Sequence, residues 1–159
     1  MLNLDTHILL FAMQGSLTSD EKKLLSTENW GVSAIVLWEI AKLFQHGRIS
    51  IDVGSPEFAR SMAGIHVWPL DVEVCRWSTK LDFSSDPADE LVAATSIVHG
   101  VPLVTRDAKI LRSKLVPFAK VGTDLNELLR DRNENAATLA WFHRISLSPE
   151  PVVEPMDAS

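Results

Sequence analysis

The fold is decided by the stretch Leu2-Asn3-Leu4-Asp5-Thr6-His7-Ile8-Leu9-Leu10-Phe11-Ala12-Met13, in which a short apolar strand runs directly into a helix. The strand ends at Asp5, and the helical part extends from Ile8 to Met13. The same order recurs where a strand ending at Ser33 precedes an apolar helix from Ala34 to Phe44. Helices that alternate with short apolar strands predict an α/β fold: a three-layer sandwich whose mostly parallel central sheet has helices on both faces.

Capping and turn signals define the remaining elements. Thr18-Ser19-Asp20-Glu21 is a capping box that opens a helix, and Asp86 before Pro87 is typical of a helix start. Pro69 predicts that Val67 to Leu70 lies at a sheet edge, because proline cannot donate to a ladder. The other predicted elements are helices from Pro56 to Met62, Val72 to Leu81, Pro87 to Gly100, Ala108 to Leu111 and Asp124 to Leu129, and strands from Pro102 to Thr105 and Phe118 to Val121.

The composition fits one domain followed by an extension. The 159 residues are 46% apolar and 23% charged, which is enough apolar material for one core. We expect the domain to span residues 1–132 and a partly disordered extension to span 133–159, because the composition changes near Asn133. Within the extension, Ala136 to Leu147 is apolar enough to dock on this chain or on a partner.

Charge and cysteine content narrow the function classes. The net charge of −6 argues against binding nucleic acid by bulk attraction, although an acidic site that holds cations remains compatible with it. A single cysteine, Cys75, excludes a disulfide framework and favours a reducing compartment, so we expect a cytoplasmic protein with a buried, inert thiol. No apolar run is long enough to predict a membrane span, and the N-terminus lacks a signal-peptide pattern.

Two acidic residues directly follow strands. Asp5 closes the first strand, and Asp107 closes the strand that contains Leu103 and Val104. Sites in open α/β sheets form at the carboxyl ends of strands, so both residues are placed for chemistry. Each is equally well explained as the N-cap of the helix that follows it.

Four further acids lie in the opening turns of helices or at a helix cap. Glu39 interrupts a helix with almost no polar face, where an unpaired carboxylate must be neutralised, paired or bound to a cation. Its alternative is an ion pair with Lys42, worth only about 0.2–0.5 kcal/mol. Asp89 lies three residues after the N-cap Asp86, where the helix dipole is the competing explanation, and Glu90 is interpreted as a solvated neighbour.

Convergence of these acids would have an electrostatic consequence. Two like charges about 4 Å apart repel by about 4 kcal/mol at an effective dielectric constant near 20. Such groups raise one another's pKa or recruit a cation, and an all-oxygen site suits Mg²⁺ or Mn²⁺. These ions activate water for attack on a phosphodiester, so the chemistry needs carboxylates and no nucleophilic side chain.

Four motifs resemble the PIN-domain ribonucleases, and most closely the VapC-type toxins of toxin–antitoxin pairs. They are Leu4-Asp5-Thr6-His7, Ser33-Ala34-Ile35-Val36-Leu37-Trp38-Glu39-Ile40, Asp86-Pro87-Ala88-Asp89 and Leu103-Val104-Thr105-Arg106-Asp107, in order over about residues 1–130. The resemblance implies a PIN-like sandwich and a Mg²⁺- or Mn²⁺-dependent endoribonuclease. Its catalytic and metal-binding quartet would be Asp5, Glu39, Asp89 and Asp107, supported by Thr6 and Thr105. Asp86 is interpreted first as a cap and second as a fifth, outer carboxylate. The resemblance also implies a homodimer and a tight complex with an antitoxin that blocks the acidic cleft.

Substrate contacts are expected in the stretch from Leu103 to Lys120, which carries five basic residues against one acid. Arg106 is the best candidate for a phosphate clamp, followed by Lys109. His7 follows Asp5 and Thr6 closely enough to reach the site, but it is interpreted first as a histidine packed at a helix start.

Two other functions stay open. Sequences of the resembling family with the Asp-Pro motif usually carry arginine where this chain has Glu90. Glu90 and the C-terminal extension therefore keep a second function open, a catalytically silent PIN-like binding module. A phosphatase with Asp5 as nucleophile is less well supported, because the second aspartate expected two residues later is absent.

Overall fold

The computed structural model describes residues 1–119, in which four strands form one sheet. The strands are β1 (Leu2–Leu4), β2 (Trp30–Ser33), β3 (His66–Trp68) and β4 (Leu103–Val104), in the spatial order β3-β2-β1-β4. Every pairing between them is parallel, and an isolated parallel bridge joins Leu103 to Phe118. The predicted α/β fold with a mostly parallel sheet is therefore confirmed.

Helices connect the strands, and their ends follow the predicted caps. The Thr18 and Glu21 capping box opens α2, and Asp86 caps α6, which ends at Gly100 in the left-handed conformation. The helices are α1 (Thr6–Gln14), α2 (Ser19–Ser26), α3 (Ala34–Gln45), α4 (Pro56–Ser61), α5 (Val72–Ser78) and α6 (Pro87–His99), followed by a 3₁₀ turn, Ile110–Arg112. The predicted helix from Ala108 to Leu111 is thus a 3₁₀ turn, and α5 ends before the predicted Leu81.

The core lies where the central strand β1 meets the helices. Leu4, Ile8 and Leu9 are fully buried, as is the polar Asn3. The Asn3 amide donates to the Val92 carbonyl at 3.1 Å and to the Ser96 hydroxyl at 2.9 Å. These bonds fasten α6 to β1, so the start of α6 is held at the edge of the sheet where β1 ends.

The strand β3 lies at the sheet edge, as Pro69 predicts. Trp68 packs on β2 so closely that a Cβ atom on Gly31 would overlap its ring. The Trp68 ring also contacts His66 and stacks on His99, with centroids 4.9 and 5.7 Å away. Gly31 is therefore required by the close approach of the indole.

The exposure of Cys75 differs from the prediction. Cys75 is exposed, so the prediction of a buried thiol is wrong. Its neighbour Val74 is fully buried. Successive helix positions point about 100° apart, so Cys75 points away from the buried side of α5. In the part of the chain that the structure describes, no helix has the length and apolar character to span a membrane.

Several predictions fall beyond residue 119, outside the described residues. These are the end of the strand from Phe118 to Val121, the helix from Asp124 to Leu129, the boundary at 132/133, and the extension with its apolar segment Ala136 to Leu147.

Candidate active site

Asp5 and Asp107 follow neighbouring parallel strands and are linked through Thr105. The Thr105 hydroxyl donates to Asp5 Oδ2 at 2.7 Å and accepts from the Asp107 backbone N–H at 3.0 Å. Asp5 is 2% exposed, and its Oδ1 accepts from the Thr6 N–H at 2.7 Å, which caps α1. Both carboxylates thus lie at the carboxyl edge of β1 and β4, as the sequence predicted.

Asp5 is held in its ionised form by its neighbours. Burial raises the pKa of Asp5, but the hydrogen bond and charge of His7, together with hydrogen bonds from Thr105 and Thr6, outweigh burial and leave this pKa below its usual value. Burial lowers the pKa of His7, while Asp5, Glu39 and Asp89 raise it above its usual value.

His7 therefore has the placement that the sequence interpretation ranked second. Its Nδ1 lies 3.8 Å from Asp5 Oδ2, so the imidazole belongs to the acidic cluster rather than being only a packed helix-start residue. The available signal was its position two residues after Asp5, which is not specific by itself.

Glu39 joins the cluster from α3. Its Oε2 accepts from the Thr6 hydroxyl at 2.5 Å. Burial raises the pKa of Glu39 to about 7, and repulsion from Asp5 and Asp86 adds to burial against the opposing effects of Thr6 and His7. The alternative ion pair with Lys42 is absent from the described contacts, because the Lys42 ammonium donates to Gln45 at 2.9 Å.

Asp89 lies in the first turn of α6, after the cap. The Ser85 hydroxyl donates to Asp89 Oδ2 at 2.6 Å. Burial and repulsion from Asp5, Asp86 and Asp107 raise the pKa of Asp89 to about 8. Asp86 Oδ1 accepts from the backbone N–H groups of Ala88 and Asp89 at 3.0 and 3.2 Å, so its predicted capping role is present.

Asp107 also caps a helical turn. Its Oδ1 accepts from the backbone N–H groups of Lys109 and Ile110 at 2.7 and 3.1 Å. Among the described residues no hydrogen bond reaches Asp107 Oδ2, which leaves that oxygen for another ligand.

The acidic cluster, defined as Asp5, Glu39, Asp86, Asp89 and Asp107, is coupled by charge. Within residues 1–119, no three histidine, cysteine or acidic side chains are placed so that together they could hold a metal ion. The donor chemistry nevertheless fits a hard divalent cation, since the groups are carboxylates with threonine hydroxyls beside them. Burial is the largest cause of the raised pKa values of Glu39 and Asp89, and repulsion from the other acids adds to it; a bound cation would favour the ionised form of both groups.

Arg106 and Glu90 depart from the sequence interpretation, whereas Lys109 does not. Arg106 donates to both carboxylate oxygens of Glu21, at 2.7 and 2.6 Å, so its guanidinium is engaged within the protein rather than free for a phosphate. Lys109 is exposed beside Asp107. Glu90 is not merely solvated, because its Oε1 accepts from the Ser85 backbone N–H at 3.0 Å and closes the turn before α6.

The fold and site together define an α/β domain with a carboxylate cluster at the carboxyl edge of a parallel sheet. Residues 3–114 match the PIN domain family, and the chain belongs to that family. PIN domains are generally nucleases, and such nucleases generally use divalent metal ions.

Solved structures of low sequence identity share the fold. A toxin–antitoxin complex from Klebsiella pneumoniae aligns with a TM-score of 0.55 at 17% identity, covering 70% of this chain and 91% of that chain. VapBC2 from Rickettsia felis, bound to a DNA fragment from its promoter, gives 0.58 at 17% identity over 75% and 98%. FitAcB from Neisseria gonorrhoeae gives 0.55 at 18% identity over 78% and 100%. No curated protein matches the sequence significantly.

Proposed function

We propose that the chain is a Mg²⁺- or Mn²⁺-dependent endoribonuclease and the toxin of a type II toxin–antitoxin pair. The observation that carries this proposal is the acidic cluster, in which Glu39 and Asp89 have pKa values raised to about 7 and about 8. Carboxylates that serve only as caps would not need to be gathered where they repel one another. Membership of a family of nucleases supports hydrolysis of nucleic acid as the reaction.

The carboxylates and the threonines of the site have different tasks. Asp5, Glu39, Asp89 and Asp107 would hold the cation, while Thr6 and Thr105 hold the Glu39 and Asp5 carboxylates in place. A bound Mg²⁺ or Mn²⁺ would supply acidification of the attacking water and neutralise charge on the phosphodiester. With pKa values of about 7 and about 8, Glu39 and Asp89 are partly protonated at neutral pH without a cation, so binding of the cation would release protons.

An alternative reaction with Asp5 as the nucleophile is less well supported by this geometry. Both Asp5 oxygens accept hydrogen bonds, from Thr6 and Thr105, and the residue is 2% exposed. A nucleophilic carboxylate would need an oxygen that can approach phosphorus. The same hydrogen bonds suit a carboxylate that is held rigidly as a ligand.

The proposed macromolecular partners are RNA, an antitoxin and a second copy of the chain. Exposed Lys109, next to Asp107, is the proposed phosphate contact, since Arg106 is engaged with Glu21. The resemblance of the fold to chains in toxin–antitoxin complexes supports an antitoxin partner. Trp38 and Phe44 are 55% and 40% exposed on α3, which supports a protein contact on that helix.

The direct test is incubation of the full chain with RNA and Mn²⁺ or Mg²⁺, with and without a chelator. We expect cleavage that the chelator stops and that Asp5→Asn abolishes while circular dichroism stays unchanged. Glu57→Gln is the matched control, because Glu57 is an exposed carboxylate paired with Arg60 outside the cluster. Equal cleavage by Asp5→Asn would refute the roles assigned here.

The same preparation tests the silent-module alternative. RNA or antitoxin binding with no metal-dependent cleavage would favour a binding module, for which the lack of a ready-made ligand shell within residues 1–119 is the supporting observation. A short neighbouring gene for a small DNA-binding protein would support the toxin assignment.

A further inference from the structure

A buried ion pair lies beside the acidic cluster. Arg106 Nε and Nη2 donate to the two carboxylate oxygens of Glu21, and the guanidinium carbon lies 4.4 Å from the ring centroid of Phe11. The two charged side chains are 13% and 7% exposed. The Glu57–Arg60 pair, with the same 2.6 Å separation, is 73% and 69% exposed and therefore contributes little. The burial of Arg106 and Glu21 calls for an explanation.

Glu21 is a rigid anchor for this arginine. Its Oε2 accepts from the Thr18 backbone N–H at 2.8 Å, while its own N–H donates to the Thr18 hydroxyl at 3.3 Å. Burial raises the pKa of Glu21, but Arg106 and Thr18 outweigh burial and lower this pKa below its usual value. The carboxylate is therefore ionised and fixed to the first turn of α2.

Arg106 lies between two residues of the candidate site. Thr105, which precedes it, donates to Asp5 Oδ2, and the N–H of Asp107, which follows it, donates to the Thr105 hydroxyl. Holding the Arg106 side chain against α2 therefore restrains the backbone that presents both neighbours.

We propose that Glu21 and Arg106 form a positioning pair that holds Thr105 and Asp107 in the arrangement needed to bind a divalent cation. The inference rests on the proposed metal-dependent function. It replaces the phosphate-clamp role that the sequence favoured for Arg106, and it gives Glu21 a role beyond its capping box. Neither residue is expected to touch the substrate.

The test is isothermal titration of the full chain with Mn²⁺, comparing wild type with Glu21→Gln, Arg106→Lys and the control Glu57→Gln. Gln keeps an acceptor for Thr18, and Lys keeps the positive charge but loses the two-pronged contact. We expect the Kd for Mn²⁺ to rise about 10–100-fold in the first two variants and to stay unchanged in the control. Thermal unfolding with a chelator identifies a temperature at which the compared proteins are folded.

RNA cleavage adds a second readout. A positioning role predicts a lower kcat with an unchanged KM for RNA in both variants. A phosphate clamp instead predicts a raised KM in Arg106→Lys and an unchanged or lowered KM in Glu21→Gln, which frees the guanidinium. The second pattern would overturn the proposal.

A double-mutant cycle tests whether Glu21 affects Mn²⁺ affinity through Thr105. If Glu21 acts through Thr105, the losses in Mn²⁺ affinity from Glu21→Gln and Thr105→Val should not add. Additive losses, or folded variants with wild-type Mn²⁺ affinity, would refute positioning. Loss of folding in both Glu21→Gln and Arg106→Lys would show a purely structural pair and also refute it.

The wild-type results separate this inference from the proposed function. A wild-type chain that binds Mn²⁺ without cutting RNA overturns the proposed activity alone, and the ranking of Mn²⁺ affinities still decides the positioning role. A wild-type chain that does not bind Mn²⁺ overturns both. Wild-type binding and cleavage with unaffected variants overturns positioning alone.

Discussion

Replacing Glu39 with glutamine is expected to stabilise the metal-free chain at alkaline pH. Burial, with repulsion from Asp5 and Asp86, raises the pKa of Glu39 from 4.5 to about 7. The folded state therefore binds this proton more tightly than the unfolded state. The resulting stability is complete below pH 4.5 and is lost as the pH rises through about 7.

The structure sets the size of the effect. The difference between 4.5 and about 7 corresponds to on the order of 3 kcal/mol as an upper bound, at about 1.4 kcal/mol per pH unit. Solvent screening of this partly exposed carboxyl lowers the expected gain in the free energy of unfolding to about 1–3 kcal/mol at about pH 8. Glutamine retains an oxygen that can accept from Thr6, so the substitution mainly removes charge.

The assay is urea unfolding in the presence of a chelator at about pH 5.5 and about pH 8. At about pH 8, a gain of this size raises the urea midpoint of Glu39→Gln by about 1 M relative to wild type. Asp5 and Glu21 have pKa values below their usual ones, so their stabilising effect is lost only under more acidic conditions. The raised pKa of His7 acts in the same direction as that of Glu39, and because the charge of Glu39 is one of its causes, the difference between the two proteins includes a smaller effect of His7 in Glu39→Gln. The reasoning would be refuted if Glu39→Gln unfolds at lower urea than wild type at about pH 8, with Glu57→Gln unchanged.

Three other outcomes are expected. As the pH is lowered from about 8, the affinity for Mn²⁺ should fall by up to about tenfold per pH unit, because a proton on Asp89 competes with the cation. Titration calorimetry in buffers of different ionisation heat checks this, and an affinity independent of pH would contradict it. Gly31→Ala should destabilise the chain by about 1–3 kcal/mol in thermal unfolding, because the new methyl group overlaps Trp68, whereas Gly54→Ala in an exposed turn should change little. Asp107→Asn should change the unfolding free energy by less than about 0.5 kcal/mol, since asparagine caps a helix as well as aspartate does. The same substitution should weaken Mn²⁺ binding. A large loss of stability with unchanged Mn²⁺ affinity would show that Asp107 is only a cap.

The elements that could be predicted from sequence are those with local signals. The Asp86-Pro87 start and the Gly100 end define α6, and the Thr18 capping box defines the start of α2. A cap depends on residues within one turn, so its signal is contained in a few adjacent letters. The placement of Asp5 and Asp107 at one edge was also predictable, because neighbouring parallel strands end together.

Contacts between distant residues could not be predicted in this way. Glu21 and Arg106 are 85 positions apart, and each had a sufficient local interpretation, as a capping residue and as a phosphate ligand. Trp38 shows the same limit, since α3 is apolar on most sides but buries only Val36 and Ile40 completely. Periodicity identifies an apolar helix, whereas its packing partner depends on tertiary structure.

The sequence left open whether Asp5 and Asp107 are caps or metal ligands, and the two oxygens of each carboxylate make the two roles compatible. In both residues Oδ1 accepts backbone N–H groups at the start of a helical turn, and that bond fixes the side chain. The second oxygen differs: Asp5 Oδ2 accepts from Thr105, whose hydroxyl also receives the Asp107 N–H. Capping thus supplies the rigidity that a ligand needs, because a carboxylate already fixed loses little conformational freedom when a cation binds. An Asp→Asn substitution preserves the cap and removes the charge, so metal affinity rather than stability measures whether these residues are ligands.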